Sequence, residues 1–121
     1  MKTHLYNEIC QFKKNFGRHE QTFWHNDLEK DCDKHVSYMA YHQICQHAPD
    51  IILNGAFECV AYSFYYHNIS NEVAINRLLY DNLAHSINHM NLILNSHHFA
   101  AAHRKINTDN GAKHYLCIRG Y

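Results

Sequence analysis

The stretch HSINHMNLILNSHHFAAAH, from His85 to His103, holds five of the chain's thirteen histidines. An imidazole can ligate a metal, move a proton near neutral pH, or hydrogen-bond at an interface. His85 and His89 stand four apart, so on one continuous helix their rings point the same way, a spacing common in zinc sites. Asp81, a turn earlier, could orient His85. Each histidine is two residues from the apolar stripe of that segment, which turns the pair toward solvent. No third ligand is fixed, since His97, His98 and His103 are merely nearby in sequence. Cys32-x-x-His35 and His42-x-x-Cys45 lie about 10 Å apart along a helix, too far to share one tetrahedral ion. The expectation is therefore no metal and no cofactor, with a zinc-binding helical domain on His85 and His89 as one alternative.

Proton transfer is the second chemistry. TDNG, Thr108 to Gly111, between two strand-like segments signals a hairpin. As a four-residue loop it sets Asn107 opposite Ala112 and Lys105 opposite His114, with His103 on the same face and Arg104 beside Tyr115 on the other. Two histidines and a lysine on one face are the parts for metal-independent RNA cleavage: base, acid and phosphate-holding cation. The candidate set for this toxin-type ribonuclease, the other alternative, is His103, Lys105, His114, Tyr115 and Arg119. A slip of one residue in register would send every one of these side chains to the opposite face. Phosphate-binding glycine loops, HExxH, nucleophile elbows and paired acidic clusters are missing from the sequence.

The third chemistry is recognition. Tyrosine gives large contact area at low entropic cost, while asparagine and histidine give adaptable hydrogen bonds, and the chain has nine tyrosines. YSFYYHN concentrates Tyr62, Phe64, Tyr65, Tyr66 and His67. In a strand Tyr62, Phe64 and Tyr66 share one face, which leaves Tyr65 as an interface anchor on the other. Arg77, Asp81 and His85 supply a polar, weakly charged helical rim. The sequence favours a small binding protein that blocks a protein partner, an inhibitor of immunity or phage-encoded type. Its candidate contacts are Tyr62, Tyr65, Tyr66, His67, Arg77, Asp81 and His85. Nucleic acid enters as a partner only under the ribonuclease alternative, and a second copy of the chain is admitted.

These residues need a scaffold, and 121 residues suffice for a single domain over 1–121 with an ordinary core. Eleven basic residues balance eleven acidic ones, so no general positive field draws nucleic acid. MKTHLYNEIC lacks the apolar stretch of a signal peptide, and no apolar run reaches membrane-span length. Five cysteines without a C-x-x-C pair read as reduced thiols, so the expected location is cytoplasmic, with no membrane partner.

The expected fold is α+β, with helices over 3–16, 27–47 and 71–95 on a small antiparallel sheet of 56–66, 98–107 and 113–119. Leu5, Ile9, Phe12 and Phe16 form the first stripe, with Lys13 and Lys14 off it and Gly17 as its stop. Asn26 with Glu29 suggests a capping box, and Leu28, Cys32, Val36 and Met39 face inward. Ser70 caps the third helix, whose stripe is Ile75, Leu79, Leu83, Ile87, Met90 and Leu94. The segments 51–66, with Asn54-Gly55 as a turn, and 97–107, with its alanine run, also admit a helical reading; strand is preferred.

Overall fold

The computed structural model describes residues 2–48, 56–66 and 68–121. Asn54-Gly55 and His67 lie outside them. The fold is α+β: four helices enclose a four-stranded sheet of order β1-β3-β4-β2. Strand β3 (His98–Thr108) and β4 (Gly111–Gly120) form the hairpin, closed by Asp109-Asn110. Its register places Lys105 opposite His114, Arg104 opposite Tyr115 and Asn107 opposite Ala112, as the sequence suggested. Strand β2 (Phe57–Tyr65) runs antiparallel along the other side of β4. The sheet is mixed rather than wholly antiparallel, because β1 (Phe23–Trp24) pairs in parallel with β3. Two residues are too few to show alternation, so the sequence pattern does not reveal β1.

Both faces of the sheet are covered. Helix α1 (Lys2–Asn15), helix α3 (Asn71–Arg77) with the turns after it, and helix α4 (Ile87–Leu94) bury one face around Leu5, Ile9, Phe12, Ile75, Leu79, Phe99 and Leu116. Helix α2 (Asn26–His42) buries the other through Cys32, Val36 and Met39 against Ala100, Ala102, Tyr115 and Cys117. This explains the alanines of β3. Ala100, Ala101 and Ala102 alternate between two helix-covered faces, and small side chains let the helices close on the strand. Packing overrides alanine's helical preference.

Four local expectations change. Lys13 is buried, not off the stripe, because its ammonium reaches across to donate to the Ser96 carbonyl just after α4. Phe16 is 40% exposed, since α1 has already ended. There Gly17 adopts φ +84, and Arg18 N–H bonds the Lys13 carbonyl at 2.9 Å, a Schellman closure. The N-cap of α2 is His25 rather than Asn26: its Nδ1 accepts from Leu28 N at 3.2 Å, while Glu29 takes the Trp24 indole N–H at 3.1 Å. Helix α2 stops at His42 instead of running to 47, because Gln43 turns left-handed at φ 54 and its N–H returns to the Met39 carbonyl.

The long third helix is broken. After α3, which Ser70 caps through Val73 N at 3.1 Å, come a π turn at Leu78–Asn82 and a 3₁₀ turn at Leu83–His85. Ser86 is extended (φ −106, ψ 115) and caps α4 as a new start. The wider turn and the restart shift the helical phase: Ile75, Leu79 and Leu83 are buried as expected, but Ile87 is 73% exposed and Ile93 takes the core position. No described helix is long and apolar enough to cross a membrane.

Candidate functional site

The most developed polar centre lies on the α2 side of the sheet, around Glu58. A carboxylate inside the apolar run FECVAY must find partners, because an unpaired buried charge is costly. Strand register provides the first, Arg119 directly opposite on β4. Its Nε and Nη2 donate to Oε2 of Glu58 at 2.9 and 2.7 Å, and its Nη1 lies 3.7 Å from Asp31 of α2. Burial works against the Arg119 charge, but the hydrogen bonds and charge of Glu58 outweigh it and hold the guanidinium above its ordinary pKa. The other carboxylate oxygen accepts from His47 Nδ1 at 3.0 Å and from Ala48 N at 3.1 Å. His35 sits 4.0 Å from the same oxygen, its Nε2 bonded to the Gln46 carbonyl at 2.7 Å.

This arrangement orients His47. The Glu58 side chain is 1% exposed and that of His47 is 60% exposed, so the pair runs from the interior to the surface. With Nδ1–H donated to the carboxylate, Nε2 keeps its lone pair for an outside ligand or proton. His89, half-buried on α4, stands close enough that its pKa is lowered, first by burial and then by the charge of His47. Burial and neighbouring charge hold the thiols nearby in the protonated form. Cys117 is held well above the ordinary thiol pKa by its hydrogen bond to Cys32 and by burial, and Cys59 is pushed up to about 12 by burial and the Glu58 charge. Of this centre, the sequence pointed to Arg119, His89, Cys32 and His35, each in another role, and to neither Glu58 nor His47. The signal available was the lone glutamate between Phe57 and Cys59.

The ribonuclease set is divided by the sheet. His103, Lys105 and His114 do share a face, but His103 is 9% exposed and His114 fully buried, with Nε2 of one 2.9 Å from Nδ1 of the other. Tyr115 and Arg119 are on the opposite face, Tyr115 beneath α2. Lys105 is tied to Asn68 Oδ1 at 3.2 Å. Neither imidazole faces solvent as a catalytic acid or base must.

The metal pair fares similarly. His85 ends the 3₁₀ turn and His89 lies in the first turn of α4, with extended Ser86 between them, so the same-face geometry of one helix is lost. Among the described residues no group of three or more histidine, cysteine, aspartate or glutamate side chains converges as a metal site.

Of the recognition residues, the structure brings Tyr65 and Arg77 together, where β2 meets the broken helix. Tyr65 does lie on the face opposite Tyr62 and Phe64, but it is half-buried there, 5.7 Å from the His114 ring, and Tyr66 is the exposed tyrosine, at 72%. Tyr62 packs on Tyr115 at 4.9 Å. Arg77 lies over the Tyr65 ring at 5.4 Å, a cation–π contact, and Asp81 and His85 are exposed. Asn82 donates to the Tyr62 carbonyl at 3.2 Å, fastening the π turn to β2. His67 lies outside the described residues.

No protein-family model matches the chain, and no curated protein matches it. Among solved structures, an outer surface protein of Borrelia burgdorferi superposes with a TM-score of 0.64 over 96% of this chain and 89% of its own, at 17% identity. At that identity the similarity is one of fold.

Proposed function

We propose that this protein acts by binding a protein partner, as an inhibitor or immunity-type protein does, through the surface where β2 meets the broken helix. The observation that carries this reading is the Arg77 guanidinium laid on the Tyr65 ring, with the next residue of the chain, Tyr66, 72% exposed. Arginine and tyrosine on rigid elements are the side chains that most often dominate interface energy. Asp81 and His85 extend the surface as a polar rim. The fold neighbour is named for its place at a bacterial outer surface. We place this chain in the cytoplasm, on its five free thiols. The experiment compares wild type with Tyr66→Ala/Arg77→Ala as immobilised bait. A protein retained by wild type should lose about 100-fold in affinity for the double variant, about 2.7 kcal/mol. Equal retention by both baits would remove this surface from the function.

A second reading rests on His47. An imidazole oriented by a buried carboxylate, with a second, largely neutral imidazole beside it, is the start of an open transition-metal site. Zinc chloride titrated into tag-free protein should give one equivalent of binding that His47→Ala or His89→Ala abolishes while circular dichroism is unchanged. Binding that persists in both variants would place the metal elsewhere.

A further inference from the structure

We propose that the buried His103–His114 pair is an acid-operated switch: in its neutral, hydrogen-bonded form it holds α3 and the end of β2 against the hairpin, and taking up a proton releases them. The inference concerns the chain's own conformation and stands whether or not a partner binds there.

The geometry comes first. The rings project from neighbouring strands onto the face covered by α1 and α3, with centroids 5.1 Å apart and planes inclined by 22°. Two neutral imidazoles supply one bridging proton, so the 2.9 Å contact satisfies one nitrogen of each ring. Nε2 of His114 is left buried without a hydrogen-bond partner among the described residues. Outward from His114 the contacts form a chain: the Tyr65 ring at 5.7 Å, then the Arg77 guanidinium 5.4 Å from Tyr65. The loop before α3 is tied to the same face through Lys105 and Asn68 at 3.2 Å.

The surroundings do not welcome a charge. Lys105 and Arg104 come from the pair's own hairpin and Arg77 from α3, and all are cations. Glu72 of α3 is the carboxylate that favours protonation of His103. From α1, Lys2 lines the cleft beside His103, and His4 has a buried Nε2 that is also without a partner among the described residues. From α2, Glu29, Lys30 and Asp33 line that cleft. Asp33 is engaged by Arg104 at 2.7 Å and Glu29 by the Trp24 indole at 3.1 Å.

The titration follows the geometry. Burial, then the charges of His114, Arg104 and Lys105, bring His103 down to about 4, with Glu72 opposing. Burial and Lys105 lower His114 as well. A histidine with its folded pKa below the unfolded value of about 6.5 stabilises the fold fully above that pH and loses the contribution as pH falls toward the folded value. The window is therefore about pH 6.5 to 4.

The test reads both the protons and the structure. Imidazole nitrogen shifts followed by NMR should show His103 staying neutral down to about pH 4 and His114 taking up its proton below the ordinary imidazole range. Over the same range hydrogen-exchange protection should fall at least roughly tenfold in α3 and at the Tyr65–His114 end of the sheet, with α2 unchanged. In His103→Leu/His114→Phe the protection should stay flat with pH. Should that variant fail to fold, His103→Gln, which can still donate to His114, should leave a smaller loss at a shifted midpoint. Both imidazoles titrating near 6.5, or an unchanged loss of protection in whichever variant folds, would overturn the switch.

Discussion

Arg119→Ala should destabilise the protein by about 4 kcal/mol, read as a drop in the urea midpoint at pH 7. The substitution leaves Glu58, whose side chain is 1% exposed, without the two donors that neutralise it. Ala48 N–H and His47 remain on the other oxygen and cannot supply a permanent charge. Removing both partners is different in kind, because a well-packed apolar pair needs no solvation. Arg119→Met with Glu58→Met should recover to within about 1 kcal/mol of wild type. It should also free His47, whose ring then loses its fixed orientation. A single-variant loss below about 1 kcal/mol would mean that water reaches Glu58 and that the pair is a surface ion pair in energetic terms.

Gly111→Ala should cost roughly 3 kcal/mol, the upper end of the usual cost of overfilling a packed site. A Cβ at Gly111 would stand 2.2 Å from the Tyr65 carbonyl oxygen and 2.9 Å from the Phe64 ring. The ring can turn aside, but the carbonyl belongs to the β2–β4 ladder and moves only if Tyr65 opposite Ala112 is unpaired. Gly17→Ala is the comparison: open space surrounds its Cβ, and φ +84 is the only obstacle, so about 1 kcal/mol is expected. Thermal melts of the two variants check the contrast, and equal losses would show that the crowding at Gly111 is relieved by a small backbone shift.

The hairpin was legible because its turn residues and its alternation agree. Thr108 to Gly111 places the reversal, and one register then follows for Lys105 opposite His114. Burial was not legible from the same residues. His103 and His114 read as solvent-facing parts of a catalytic set until α1 and α3 are placed over them, and α3's position depends on packing far away in sequence. The broken helix is the same problem in another form. The stripe from Ile75 to Leu94 fits one helix in spacing, yet a single extended Ser86 resets the phase and sends Ile87 outward. Glu58 was passed over because its pairing with Arg119 depends on β2 joining β4, a contact between segments well separated in the chain.

The order of the strands has a consequence for the protein's behaviour at high concentration. A sheet grows by adding strands to its borders, where backbone N–H and C=O groups wait for partners. One border here is β1, only two residues long, which offers a newcomer almost no ladder to extend. The other is β2, nine residues long, and there the Asn82 amide already holds the Tyr62 carbonyl, while Glu58 keeps a charge turned toward the interior. Short borders, occupied carbonyls and inward charges all obstruct edge-to-edge stacking between copies. Width is thus limited at both sides, and on β2 one of the obstacles is the tie from Asn82 to the Tyr62 carbonyl.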